Sequence, residues 1–400
     1  MLFENFYHSV LGWIEFKLRS RHWILILTLF SVSLSIFLAF PPYTVLWNHL
    51  NHTGNLDAWT FIQHQSENLL HPTDIGYGVY VRRDAMIYRW TLPLLSYVTR
   101  HNVVLILLFQ GLIGVAFINQ ITKYVFSVSN DKVITCLFIL SLSNIFIGVW
   151  PYADIHGYGD TFAYFFLLNA LFTRKHAAIF FLMLAAFFTD ERAVIAGGYV
   201  LLWYILNKAY ETNDFKFWTL IKNAFIGRGW VVWVSWIIYF TIRIYIGKTY
   251  FPDHRYTYNW APILLQDGNR YGLGSSLWSV FEGFWILLSA AFLALILSRK
   301  YALLIVLSFG FIVLISTGIY VHDIDRALSY GFPFLLMAVF ILFKNASLRS
   351  IRVIFFFVCF VCVVHPLVFT MGYNRVIWLE PLPMRVIMGI DRLFHWNLFN

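Results

Sequence analysis

Residues 23–40 read WILILTLFSVSLSIFLAF, eighteen positions without one ionisable side chain. As a helix such a run covers roughly 27 Å, close to the ~30 Å thickness of a bilayer's hydrocarbon core. Comparable runs recur down the chain, as far as residues 351–370. They are continuous and do not alternate, so they read as helices and not as barrel strands. Composition agrees: 60% of residues are hydrophobic, 12% are charged and the mean hydropathy is +0.69, far from the soluble norm. The expected fold is therefore all-α, a polytopic transmembrane helical bundle whose solvent is lipid. With this many spans, residues 1–400 leave room for one domain only.

Upstream of the opening run, Phe3, Phe6, Tyr7, Val10 and Ile14 recur at helical spacing, while Glu4, His8, Glu15 and Arg19 take another face. Residues 1–20 thus predict an interfacial amphipathic helix. Lys17, Arg19 and Arg21 precede the first span, which by the positive-inside rule puts the N-terminus in the cytoplasm. No small-residue cleavage site follows, so the run reads as a signal anchor.

Downstream, about eleven spans are expected, near 23–40, 103–126, 133–150, 160–173, 177–188, 193–207, 230–246, 278–298, 301–320, 327–343 and 353–372. Longer extracytoplasmic loops fall at 41–101 and 247–277. The intervening cytoplasmic turns carry Lys132, Arg174, Lys175, Lys208, Lys216, Lys222, Arg228, Arg299, Lys300, Lys344, Arg349 and Arg352. Of twenty acids only Glu4, Glu15, Asp131, Glu211 and Asp214 fall on that side, leaving fifteen outside. Acids do little to set orientation, so their asymmetry is separate information about where polar chemistry sits. Segments 161–173 and 177–188 are short for a crossing. Either neighbouring residues extend them or their polar outer ends dip into the bundle.

The formal charge of +9 is scattered over helix ends and forms no tract, so no nucleic-acid partner is expected. Cys359 and Cys362 lie inside an apolar run and read as packing. No phosphate-cradling glycine loop, serine elbow or zinc-protease helix motif occurs.

Four outward clusters carry the ionisable residues. The first holds Asp57 and, further on, Arg82, Arg83, Asp84 and Arg89. The second holds Asp154, His156 and Asp160 around Gly157 and Gly159. The third is Thr189, Asp190, Glu191 and Arg192, and the fourth His322, Asp323, Asp325 and Arg326. Carboxylates beside a low-dielectric cavity act as general bases, and arginines there neutralise a phosphate leaving group. The plainer alternative is that such residues cap helices and pair locally at the water surface. Asp190, Glu191 and Arg192 interrupt apolar runs, which places them at membrane depth, where ionisable groups are functional by default. Asp154, His156 and Asp160 combine donors that suit a divalent cation, although their spacing is equally that of a tight turn. The aromatics of 247–277 fit either an interfacial belt or sugar stacking, and Arg243 fits either snorkelling or a lipid phosphate.

This arrangement resembles the GT-C superfamily of membrane glycosyltransferases. The resemblance lies in many spans, a long first outer loop with the acid Asp57 soon after span one, further outer polar sites at 154–160 and 190–192, and the late-loop Arg326. It implies transfer of a sugar, with inversion, from a polyprenyl-phosphate donor to a glycan or lipid acceptor outside the cytoplasm. In that scheme Asp57 deprotonates the acceptor hydroxyl, with Asp190 and Glu191 as further catalytic carboxylates. Arg82, Arg83, Arg192 and Arg326 hold the lipid phosphate. Asp154, His156, Asp160, His322, Asp323 and Asp325 complete the substrate-binding set. No resident cofactor is implied, a divalent metal being the one addition the donor types allow. Membrane lipid is the remaining partner, and compact loops point to a multi-pass protein of a bacterial inner membrane. The competing readings are a transporter or lipid-linked-sugar flippase, a polysaccharide polymerase or ligase, and a non-catalytic scaffold.

Overall fold

The structure is a computed structural model and describes residues 2–54, 56–70, 86–250, 273–321, 323–365, 367–371 and 375–394. It is nearly all helical. The chain opens with α1 (Leu2–Lys17), α2 (Trp23–Leu38) and α3 (Tyr43–Leu50). Pro41 and Pro42 have no N–H to continue the ladder, and α3 leaves α2 at 81°. Two short helices follow, α4 (Asp57–Glu67) and α5 (Thr91–Val98), so the described parts of the expected 41–101 loop are largely helical.

The long helix α6 (Val103–Ser129) leads to α7 (Lys132–Leu142) and α8 (Phe146–Ala153), bent at 57° to each other. The break has local causes. Ser143 Oγ and Asn144 Nδ2 donate to the carbonyls of Ile139 and Leu140, competing with the helical ladder at the bend. The carbonyl of Ser143 then accepts from Ser35 Oγ of α2 at 3.1 Å, while the Ser31 hydroxyl bonds that of Ser143. A tight antiparallel pair comes next, α9 (Asp160–Phe172) and α10 (His176–Phe187), then α11 (Arg192–Thr212), α12 (Phe217–Phe225) and α13 (Gly229–Tyr250). The C-terminal half holds α14 (Leu273–Phe281), α15 (Phe284–Leu297), α16 (Tyr301–Ile319), the six-residue α17 (Ile324–Ser329), α18 (Phe332–Asn345) and α19 (Leu348–Val364). An antiparallel hairpin, β1 (Val368–Met371) and β2 (Arg375–Trp378), pairs Val368 with Trp378, and α20 (Leu382–Phe394) closes the described chain.

By length and apolarity α6, α13 and α16 can each cross a membrane alone. The bent pairs α2–α3 and α7–α8 bring the number to five among the described residues. Helices α9, α10, α15 and α18 are apolar but only 12 to 14 residues long. Several elements differ from expectation. The last run ends as a helix at Val364, and residues 368–371 pair as a strand whose Phe369 packs on Phe146 at 5.1 Å. The run expected at 327–343 divides into α17 and α18 around Gly331. Neither short segment is lengthened by its neighbours, and Asp154, Asp160, Thr189 and Asp190, at the end of the pair away from 173–175, are buried.

One contiguous apolar core joins most of these helices, and a smaller one gathers Trp59, Ile62, Leu92, Ile106 and Phe162 around α4 and α5. At the opposite end α1 docks through Leu11, Ile14 and Leu18. Arg352 reaches Asp131 at 2.8 Å there, and Lys132 Nζ donates to the Leu18 carbonyl at 2.8 Å. Trp13 and Phe16 of α1 stay exposed. Cys359 and Cys362 are buried and free, in line with packing.

Candidate functional site

At one end of the bundle the C-terminal end of α8, the N-terminal ends of α9 and α11, and α17 meet in one buried knot of charge. Asp160, at the first turn of α9, is fully buried and favoured there by the positive end of the helix dipole. Its Oδ2 accepts from Arg326 Nε at 2.7 Å and Trp150 Nε1 at 3.1 Å. Its Oδ1 accepts from Tyr330 Oη at 3.0 Å and Arg326 NH2 at 3.3 Å. Arg326 also donates to Asp323 Oδ2 at 2.8 Å, lies 3.7 Å from Asp190 Oδ2, and covers the Tyr158 ring at 3.9 Å.

The neighbouring loop supplies the second half. Asp190 caps α11 by accepting from the Arg192 backbone N–H at 2.8 Å, and its carboxylate faces Arg192 NH1 at 3.1 Å and Arg89 NH2 at 3.2 Å. Arg89 forms a two-point clamp on Glu191, at 2.6 and 2.9 Å. Arg192 NH2 stands 3.7 Å from Asp323, while its Nε is buried with no hydrogen-bond partner among the described residues. Three guanidinium groups thus interleave with Asp160, Asp190, Glu191 and Asp323. The desolvation cost of each is offset only because it meets opposite charge in good geometry.

Asp154 lies beside this knot in the 154–159 loop, accepting from the backbone N–H groups of His156 at 2.9 Å and Tyr158 at 3.2 Å. Burial, and next the neighbouring Asp160 charge, push its carboxyl up to about 6. Burial and then Arg326 lower His156 from its ordinary value. The loop can fold this way only because of its glycines. Gly157 and Gly159 both have φ +80°, and a Cβ on Gly157 would meet the Trp59 ring at 3.0 Å. Trp59, fully buried in the first turn of α4, donates to the Ile155 carbonyl at 2.7 Å, so α4 begins against this loop.

Of the residues expected from sequence, Asp154, Asp160, Asp190, Glu191, Arg192, Asp323 and Arg326 come together, with His156 on the same loop as Asp154. Asp325 is turned elsewhere: it accepts from Ser279 Oγ of α14 at 3.0 Å. Nearby, Glu282 meets His365 Nδ1 at 3.1 Å and leaves its Oε2 without a partner among the described residues. Arg82, Arg83 and His322 lie outside the described residues, as does the side chain of Asp57, whose backbone opens α4. Asp154, His156 and Asp160 do not converge as ligands, since the first carboxylate is taken by backbone N–H groups and the last by Arg326. Among the described residues no three His, Cys, Asp or Glu side chains gather around a metal position. Arg89, Trp150, Tyr158 and Tyr330 join the site without having been assigned to it. Tyr330 had a signal, standing one helical turn after Arg326.

Seven charged groups and two indole or phenol donors thus converge from five separate segments. Such an interior holds fixed dipoles and charges that need not reorganise when a reactant's charge changes. No protein-family model matches the chain, and neither does any curated protein or solved structure.

Proposed function

We propose that this chain is a multi-pass membrane glycosyltransferase of the GT-C type, with about eleven spans, a cytoplasmic N-terminus and its site at the outer face. It moves a sugar from a polyprenyl-phosphate donor to a glycan or lipid acceptor. The observation that carries the reading is the meeting of Arg89, Arg192 and Arg326 with Asp154, Asp160, Asp190 and Glu191 at one end of the bundle. The start of α4, which bears Asp57, is seated on the same loop as Asp154.

In this reaction the acceptor oxygen attacks the anomeric carbon and its proton passes to a carboxylate. The bond from that carbon to the phosphate oxygen breaks, and the electron pair leaves with polyprenyl phosphate. Asp57 is the proton acceptor. Asp154, whose carboxyl stands near neutrality, is the second group on that side able to hold a proton. Arg192 has donor capacity that its partners among the described residues leave unused, which suits it to the phosphate oxygens that gain charge as the bond breaks. Arg82 and Arg83 are further phosphate partners from the first outer loop. Asp160 and Asp190 hold Arg326 and Arg192 in place and act through them.

The test uses the purified protein in vesicles containing a radiolabelled polyprenyl-phosphate sugar and an outer acceptor. Label in the acceptor, lost in Arg192→Ala and Asp57→Asn while both variants still insert, supports the transferase. Label that crosses the bilayer without reaching an acceptor makes the protein a flippase.

A further inference from the structure

The α9–α10 pair has a second polar end. Opposite the buried charges, where Phe172 gives way to His176 and where α11 passes through α12 into α13, a cavity of about 430 Å³ opens. Arg174, Lys208 and Arg228 line it, with His176 and the one lining acid among the described residues, Glu211. Glu211 and Lys208 are 3.6 Å apart and both more than half exposed, so water screens their attraction and the lysine charge stays available. Arg228 lies over the Tyr204 ring at 4.9 Å and gives one N–H to the Thr173 carbonyl at 3.5 Å. Asn223 also lines the cavity, and its Nδ2 is buried without a partner among the described residues.

Three cations against one acid in the lining select an oxyanion. The rim says what carries it. Helix α12 turns Leu220 and Ala224 inward and leaves Phe217, Trp218 and Phe225 exposed, and the exposed Trp230 at the start of α13 stands 5.6 Å from the ring of the lining residue His176. Aromatic rings on that rim are the side chains found at headgroup depth in a bilayer.

We propose that this cavity binds a phosphate group, presented by the headgroup of an anionic phospholipid whose chains lie along the α12 aromatics. The site is distinct from the transfer site and does not depend on that reaction, requiring only that the bundle sits in a membrane.

Full-length protein, purified in mild detergent and stripped of lipid, is titrated with phosphatidylglycerol and with phosphatidylcholine while bound lipid is counted by native mass spectrometry. Phosphatidylglycerol is expected to bind, and the choline lipid to bind at least tenfold more weakly. Arg174→Gln with Lys208→Gln removes two exposed charges and spares the Arg228 contacts. It is expected to weaken phosphatidylglycerol on the order of tenfold. Adding Arg228→Gln should remove the remaining preference, with retained sugar transfer or an unchanged elution profile showing that the fold persists. Inorganic phosphate that displaces the lipid supports the site and shows that a soluble phosphate occupies it too, whereas failure to displace assigns it to the lipid alone. Equal binding of the two lipids by the wild type, or equal phosphatidylglycerol binding by wild type and double variant, overturns the proposal.

Discussion

Replacing Asp160 with Asn keeps the shape of the side chain and removes its charge, which makes it the sharpest probe of the buried knot. Each carboxylate oxygen serves two donors, Arg326 Nε with Trp150 on one and Arg326 NH2 with Tyr330 on the other. The asparagine nitrogen must displace one of those oxygens and then faces donors. The cheaper rotamer puts it toward Tyr330, whose hydroxyl can rotate to accept, but one arm of Arg326 still loses its partner. With Arg326 left in the interior opposite Asp323 and a more distant Asp190, breaking such a pair costs about 3–5 kcal/mol. Arg326→Met alone should cost somewhat less, because Asp160 keeps two neutral donors and Asp323 is partly exposed to water. The double variant should then be at least ~2 kcal/mol better than the sum of the singles. Unfolding free energies are read from denaturant titration in mixed micelles. Additive singles, or Asp160→Asn costing less than about 1 kcal/mol, would refute the idea that the pair is desolvated and coupled.

The remaining expectations address the site's loops and its chemistry. Gly157→Ala should cost about 1–3 kcal/mol, seen as a lowered unfolding midpoint, because it forces a side chain into positive φ and onto the Trp59 ring. Asp154 gives a pH signature. Its carboxyl is raised from 3.8 to about 6, so the folded protein holds a proton that the unfolded chain releases. That contribution is complete below about pH 4 and disappears as pH rises through 6, an amount on the order of 3 kcal/mol. Asp154→Asn should therefore flatten the pH dependence of stability between 4 and 7 relative to wild type, and an unchanged slope would count against a raised carboxyl. Arg192→Ala should reduce sugar transfer by 10²- to 10³-fold or more, and transfer within tenfold of wild type would remove Arg192 from the phosphate site.

Helix positions were legible wherever charge punctuates apolar sequence. Residues 160–173 and 301–320 match α9 and α16 to within a residue or two, because Asp160, Lys300 and their neighbours mark the ends. Reading failed where continuation depends on distant partners. Residues 368–370 are as apolar as the helix before them, yet they pair with 376–378 and pack on Phe146, neither of which a local window contains. The helices α4 and α5 escaped notice because their pattern is too polar or too short for a span. At the site, the gathering of Asp154, Asp160, Asp190, Arg192 and Arg326 follows from one property visible in sequence, ionisable groups set into apolar runs. Orientation was not visible. Asp323 and Asp325 are two residues apart on either side of the start of α17, about 200° round a helix, so one meets Arg326 and the other Ser279. Arg89 is one of several arginines in one loop, and only folding shows that it clamps Glu191.

The shortness of α9 and α10 bears on how the proposed lipid-borne donor would arrive. At ~1.5 Å per residue these helices are only about 18–20 Å tall, against ~30 Å of hydrocarbon. If the bundle spans a bilayer as proposed, their flank is a dimple, and a carrier with a long isoprenoid tail would reach Arg192 and Arg326 without climbing out of the bilayer, its phosphate sinking sideways while the tail stays in oil.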